Sequence, residues 1–387
     1  MRLSSLIRPA ASLLLAAGPL FAAGPSTRLA VTNGLDRPRV GETVAVPSGS
    51  APGLRAEDLA KVAVVDEATG RPVLSQAVDS DGDGAHDVLV FQADFAAGET
   101  KKFVLRPGER AAYRKEDFRV YGRFARERYD DFLWENDRVA HRMYGPALET
   151  WLAEPLTSST VDVWCKRTSR LVINDWLMVD DYHRDTGEGA DFYSAGKSRG
   201  AGGSGVWKDG RLFPARNFRQ SRVLAPGPIR LVFELTYDAW DAGGAKVSEV
   251  KRVTLDAGSR FNRFESIYSV EGGSPVAHAT GLKKPAGSAV QVDKAAGTIR
   301  SWEPVKGDNG NLGLALVVDA SLLAEVVEAD GNTLAVGRPS AGKPAIHWAG
   351  SAWDRAGEVK SVEQWDREIA AFAEKVRSPL KIDVSNP

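Results

Sequence analysis

The stretch 229–270 decides the fold. It holds IRLVFELTYDAW (229–240), VSEVKRVTLD (247–256) and FNRFESIYSV (261–270), runs in which apolar and polar residues alternate. A period of two puts alternate side chains on opposite faces of a strand. Runs this long predict broad antiparallel sheets. Working outward, RVYGRF (119–124), RLVINDWLMVD (170–180), TIRSWEP (298–304) and LGLALVVDA (312–320) read as further strands. Toward the N-terminus, LAVTN, TVAVP, KVAVVD, DVLVFQAD and TKKFVL are short strands punctuated by Gly, Pro and Asp. One helix is expected in SVEQWDREIAAFAEKVRSPL (361–380), with Val362, Trp365, Ile369, Phe372 and Val376 on one face. Ser361 is its N-cap, Gln364 completes a capping box and Pro379 closes it. The expected architecture is all-β: a small N-terminal β-sandwich (25–110) and a large antiparallel β-supersandwich (111–387) with a C-terminal helix.

The first 24 residues are set apart as a signal peptide. Arg2 and Arg8 precede the apolar run PAASLLLAAGPLFAAG, which is too short for a stable membrane span and ends in small residues. Cleavage is expected near Ala22 to Gly24, by the general secretory route, because a twin-arginine pair is missing. An uncleaved anchor is the alternative. The expected location is periplasmic or secreted, with no membrane span after cleavage. The chain of 387 residues carries 50 Lys+Arg against 51 Asp+Glu, a balance that argues against a nucleic-acid partner. Cys165 is the single cysteine, so no intramolecular disulfide can form and the core must hold the fold. It reads as a small buried hydrophobe.

Four segments carry candidate chemistry. The richest is 180–218, an irregular glycine-rich stretch with Tyr182, His183, Glu188, Asp191, Arg199, Trp207, Arg216 and Asn217. A long loop with this composition is expected to be functional. Histidine exchanges protons near neutrality, and tyrosine does so if a cation such as Arg199 lowers its pKa. Arg199, Arg142 or Arg216 would neutralise a carboxylate on a substrate. The second segment is WENDRVAHRMYGPALE (134–149), with Trp134, Glu135, Asn136, His141 and Arg142. A helix there would set Asp137 beside His141 and Arg138 beside Arg142, although Gly145-Pro146 would interrupt it.

The ten tryptophans form the third signal. Most belong to the core of a large β-protein, but Trp164, Trp207 and Trp353 have polar or glycine-rich neighbours that suggest exposed platforms for sugar rings. The fourth is DSDGDGAHD, where Asp79, Asp81, Asp83 and Asp87 have a spacing that suits a structural calcium ion, although Val90 stands where a bidentate glutamate is expected. A tight Asp-Gly turn is the alternative. The five histidines are widely spread, and HExxH does not occur.

WENDRVAHRMYGPALE, VDVWCKR (161–167), YHRDTGEGADFY (182–193), SRGAGGSGVWKDGRLFPARNF (198–218), GPIRLVFEL (227–235) and KGDNGNLG (306–313) together resemble a family of secreted bacterial proteins catalogued as a domain of unknown function. The resemblance covers nearly the whole mature chain. It implies a galactose-mutarotase-like supersandwich, a fold shared by sugar epimerases, polysaccharide lyases and some glycoside hydrolases, and an association with the breakdown of pectin and other uronate polymers. It supplies no catalytic residues. Ala201 stands where the family is associated with a cysteine, which argues against a thiol role there. The expected function is lyase or hydrolase action on an acidic, uronate-containing glycan. Mutarotation is a milder possibility, and a non-catalytic glycan-binding protein is the competing class. A lyase would draw on Tyr182, His183 and an arginine; a hydrolase on Glu188 with Asp191 or Glu135.

Overall fold

The structure is a computed structural model. It describes residues 26–385 except 52, 53, 109, 111, 180 and 286. The expected signal peptide lies outside the described residues. Among those described, no helix is long and apolar enough to cross a membrane.

The alternating runs do form long strands. Gln220–Pro226, Arg230–Asp241, Lys246–Asp256 and Phe261–Val270 lie side by side, followed by Ala345–Trp353, Asn311–Val318, Thr298–Pro304 and Val290–Asp293, in one eight-stranded antiparallel sheet. Its inner face presents Leu231, Phe233, Leu235, Val253, Leu255 and Phe264 to the main core. Two five-stranded sheets cover that face. One runs Arg211–Phe213, Ala201–Lys208, Ala277–Lys283, Asn332–Gly337, Leu323–Ala329. The other, the site sheet, runs Gly189–Ala190, Asp162–Lys166, Ala140–Met143, Asp131–Asn136, Val120–Ala125. Phe132 of the site sheet stacks on Phe233 of the long sheet with centroids 4.2 Å apart, and Trp134 lies 5.1 Å from the same ring. These contacts fix the site sheet in place.

The C-terminal helix, Val362–Arg377, packs on the outer face of the long sheet through Trp365, Ile369 and Ala373. Phe261 is stacked 5.6 Å from Trp365 and 3.9 Å from Phe372. Ser361 caps it, accepting from the Gln364 backbone N–H.

The N-terminal region is a second sandwich. Thr27–Thr32, Thr100–Pro107, Val62–Asp66 and Pro72–Val73 form one sheet, and Arg39–Pro47, Val88–Phe95 and Ser75–Val78 the other. Leu29, Val31, Val44, Phe91, Phe103 and Leu105 fill the space between them. The last strand, Lys381–Ser385, returns to pair with Thr27–Thr32. The small sandwich therefore takes its edge strand from the far end of the chain, which a boundary at residue 110 leaves out.

Three local expectations change. Residues 134–149 form a hairpin and a 3-10 turn, Pro146–Thr150, rather than a helix. The period in WEN and AHRM is two, with Trp134 and His141 facing the core and Glu135 and Arg142 facing away. Asp137 and His141 are thus not helical neighbours. Second, RLVINDWLMVD is not a strand: Ile173–Leu177 is a short helix whose Ile173 and Trp176, three residues apart, are both buried. Third, the stretch 180–218 is not one loop, because Ala201–Lys208 is a buried strand. Its glycines allow close backbone approach. A Cβ on Gly203 would lie 2.6 Å from the Arg199 carbonyl and 2.7 Å from that of Ser159.

Trp365→Ala should cost about 3–5 kcal/mol of stability, the usual loss for a large buried aromatic. Urea unfolding followed by circular dichroism checks this; a cost below 1 kcal/mol, roughly that of a surface change, would mean the helix is not integral to the sandwich.

Candidate active site

The site grows from the register of the site sheet. Arg142 pairs with Asp162 on one side and Leu133 on the other, and Ala140 pairs with Trp164 and Glu135. One face therefore carries Phe132, Trp134, His141, Val163 and Cys165 into the core. The opposite face carries Asp131, Leu133, Glu135, Arg142, Asp162, Trp164 and Lys166. On it, Arg142 donates from both Nε and Nη2 to Oδ2 of Asp162, and forms an ion pair with Asp191 at 3.3 Å and a longer one with Asp131 at 3.9 Å. All four are buried. Burial is the dominant influence on the carboxyls. It pushes Asp131 up to about 7, against the pull of Arg142 and the Gly145 N–H. Asp191 is held well above the usual range by burial and then by the charge of Asp162.

The cluster reaches the surface through two rings. Tyr182 Oη lies 3.4 Å from Arg142 Nη1. Its ring stacks on Trp164, which stacks in turn on Trp176. His183 lies beside it with centroids 4.5 Å apart and its side chain 59% exposed. His183 Nδ1 is 2.8 Å from the Asp191 carbonyl oxygen. A carbonyl only accepts, so Nδ1 carries a proton, and in the neutral ring the lone pair is on Nε2. Burial raises the Tyr182 phenol despite Arg142 and Arg128, so it is a protonated acid at neutral pH. This reverses the expected lowering by a cation, and the cations at Tyr182 are not Arg199.

Arg128 adds a platform. Its guanidinium lies 5.3 Å from the Tyr182 ring centre, 5.1 Å from Tyr129 and 5.9 Å from Trp151. Tyr129 and Trp151 stack at 4.5 Å. Arg128 Nε is buried and has no hydrogen-bond partner. The turn that presents these groups is strained: Tyr129 has φ 52° and Asp130 has φ 63°, both left-handed without being glycine. It packs against Gly145, where a Cβ would stand 1.8 Å from the Asp130 carbonyl oxygen.

Among the residues singled out in the sequence, Tyr182, His183, Asp191 and Arg142 come together, with Trp164 behind them. The others lie elsewhere. Trp134 is a fully buried core residue, its polar neighbour Glu135 facing the other side of the sheet, and Trp164 is buried beneath Tyr182 against Trp176 rather than exposed as a platform. Glu135 pairs with the buried Lys166 at 2.7 Å. Asn136 holds the hairpin turn, accepting from Arg138 and Val139. His141 stacks on Trp134, and burial pushes its pKa down to about 3. Glu188 is paired with Arg170 at 2.7 Å. Arg199 is buried and donates to Ser158 Oγ and the carbonyls of Ser159 and Lys197; desolvation lowers it to about 10. Trp207 is half-buried, packed with Leu212 and Ala277 against the cluster of Ala279, Leu334 and Val336. Arg216 pairs with Glu149 at 2.8 Å. Asn217 pins the segment that carries Trp151, bonding Ser158 N and the carbonyls of Gly145 and Leu156. Trp353 is buried beneath Arg167 and donates to the Asn309 carbonyl. Cys165 is fully buried, which raises its thiol pKa.

The sequence reading missed Arg128, Tyr129, Asp131, Trp151 and Asp162. Alternation in VDVWCK could have exposed Asp162. RERYDD carried no recognisable spacing. It also missed a second polar cluster, since the fold brings His278 to 3.4 Å from His347 and 2.9 Å from Tyr268 Oη.

In the Asp-rich turn, ligand oxygens of Asp79, Asp81 and Asp87 lie within 4.8 Å of one another, close enough to hold a cation. Asp83 is not part of that group; its Oδ1 accepts from Ala85 N at 2.8 Å. Burial acts to raise Asp79, but backbone N–H groups of Gly82, Gly84 and Asp81 outweigh it and hold the carboxyl below its usual value.

The fold and this geometry define a double-sandwich β-protein with a buried Arg-Asp cluster that opens through a tyrosine-histidine pair. The chain belongs to the family described as domain of unknown function DUF4861, whose model matches residues 31–382. It is 32% identical over 371 residues to Uncharacterized protein P7 of Formosa agariphila, covering 92% of this chain and 93% of that one. Among solved structures it is similar to an alpha-mannosidase from Enterococcus faecalis V583 at TM-score 0.47 and 11% identity, covering 93% of this chain and 46% of that one. A glycosyl hydrolase family 38 protein from Enterococcus faecalis gives TM-score 0.47 and 12% identity, covering 93% of this chain and 47% of that one. The chain spans about half the length of these two structures.

Asp131→Asn should flatten the pH dependence of stability. Its folded pKa of about 7 lies above an unfolded value near 3.9. The contribution of Asp131 is therefore fully present below about pH 4 and lost as pH rises through about 7. Urea midpoints of parent and variant should converge at low pH, with the variant ahead near neutrality. A parallel pair of curves would contradict the assignment.

Proposed function

We propose that this protein is exported and cleaves a uronate-containing glycan by β-elimination. The observation that carries the reading is the grouping of His183, Tyr182 and Arg128 over the buried Arg142 cluster. Arg128, with a free buried Nε, pairs the uronate carboxylate and acidifies the adjacent C5–H. His183 Nε2 removes the C5 proton. The C4–O bond breaks as the C4=C5 double bond forms. Tyr182, held protonated, gives its proton to the leaving oxygen. Trp151 and Tyr129 offer flat faces to the sugar ring. Asp191 fixes the histidine tautomer through its carbonyl, and Arg142 anchors Asp191 and Tyr182. Hydrolysis is less well supported. It needs two reachable carboxyl groups, whereas Asp131, Asp162 and Asp191 are buried and Glu188 is engaged by Arg170.

The test is to incubate the mature protein with pectic, alginate and glycosaminoglycan fragments. Ultraviolet absorbance of the unsaturated product and new reducing ends are followed together. Both should rise. Reducing ends without absorbance would mean hydrolysis, and binding without either would return the protein to a glycan-binding role. His183→Ala and Tyr182→Phe should each lower the rate by about 10²–10⁴-fold, the usual worth of a positioned acid or base. The melting temperature of His183→Ala should hardly move, because that side chain is exposed. A large drop in melting temperature would make His183 structural.

We also propose that Asp79, Asp81 and Asp87 bind a calcium ion, since the donors are hard oxygens on a turn between strands. The ion would brace the small sandwich and take no part in the reaction. Millimolar calcium should raise the melting temperature relative to chelator, and Asp81→Asn should abolish the difference. Equal melting in calcium and chelator would refute it.

A further inference from the structure

A group of cationic side chains lines a cavity at the other end of the site sheet. Arg138, Lys166, Arg167 and Arg260 line a cavity of about 90 Å³ together with Asp137 and Glu358. They come from separate places: the hairpin turn, the end of strand Asp162–Lys166, and the turn before Phe261. Asp162 touches Arg142 and Lys166 lines the cavity, so four steps along one strand separate the two sites, roughly 13 Å at about 3.3 Å per residue.

The cavity's own carboxylates leave it short of acceptors. Asp137 is engaged by Arg119 and by the Gly258 N–H. Glu358 is shared between Arg138 at 3.1 Å and Arg260 at 2.6 Å, and is itself 55% exposed. Lys166 is engaged by Glu135 and the Asn136 carbonyl, and Arg167 by Asp185 and the Gly187 carbonyl, so the shortage falls on Arg138 and Arg260, which share one carboxylate. Arg260 is the telling residue. Its side chain is only 5% exposed, yet its Nε has no hydrogen-bond partner. A buried donor left unmatched costs about 1–3 kcal/mol, and an oxyanion at this position would relieve that cost. Desolvation outweighs Glu358 and lowers the Arg260 pKa, consistent with a guanidinium short of negative charge.

We propose that this cavity binds an oxyanion borne on a sugar, a carboxylate or a sulfate ester, with Arg260 and Arg138 as its ligands and Glu358 as a built-in competitor. Its placement as a glycan subsite rests on the function proposed above. The anion binding itself does not.

Melting of the mature protein and calorimetric titration test it, in sulfate, acetate, glucuronate and a sulfated monosaccharide, each against chloride at matched ionic strength. At least one oxyanion should raise the melting temperature above chloride. Glucuronate against sulfated sugar identifies which group is carried, and response to inorganic sulfate alone would overturn the sugar assignment. Arg138→Gln, at a half-exposed position, should weaken binding about tenfold, and Glu358→Gln should strengthen it severalfold. Arg260→Met should abolish it if that variant folds. Identical melting in all salts, or unchanged affinities in both Arg138→Gln and Glu358→Gln, would overturn the proposal. Binding without eliminase activity would keep this site and remove the lyase reading; activity with no anion response would do the reverse.

Discussion

Three buried aspartates converge on one guanidinium, and the candidate site is organised by that constraint. Arg142 is locked between Asp162, Asp191 and Asp131 on the face of the site sheet turned away from the core. Buried charges are expensive unless paired, and removing one partner of such a group typically costs about 3–5 kcal/mol. The cluster nevertheless carries more carboxyl groups than Arg142 can neutralise, so protons stay on some of them near neutrality. The same guanidinium reaches Tyr182, and the same Asp191 orients His183 through its backbone. Positioning of the exposed groups is thereby tied to a rigid, buried frame.

The frame depends on the opposite face. Phe132 stacks on Phe233 of the long sheet, Trp134 packs tilted against the same ring, and Met143 meets Tyr237. Because the strand period is two, each apolar anchor fixes the charged residue beside it. A slip of one residue would drive Arg142 into the main core. The left-handed Tyr129 and Asp130 are tolerated for the same reason. Gly145 lets the turn approach closely, and the Asp131 carboxylate accepts from its N–H at 2.8 Å.

Much of the fold was legible in the chain. Alternation over 229–270 sufficed for the long sheet, and the spacing of Trp365, Ile369 and Phe372 with the Ser361 cap sufficed for the final helix. The return of Lys381–Ser385 to the first sheet was not legible, because strand pairing across the whole chain leaves no local mark. Within the candidate site, Tyr182, His183, Asp191 and Arg142 stood out by residue type. Arg199, Glu188 and Trp134 stood out equally, yet each has a structural partner that only the fold reveals. Composition reports that a charge exists; register decides what it faces. The glycines of 202–205 misled for a related reason, since they permit a buried strand to press on a neighbouring backbone as readily as they permit a loop.

The most direct measurement is a crystal structure of the His183→Ala protein with an acidic oligosaccharide. The account predicts a uronate carboxylate on Arg128, a ring against Trp151 or Tyr129, C5–H directed at the vacated imidazole position and the glycosidic oxygen within hydrogen-bond reach of Tyr182. Sugar bound in ordered fashion elsewhere, with Arg128 and Tyr182 untouched, would contradict it.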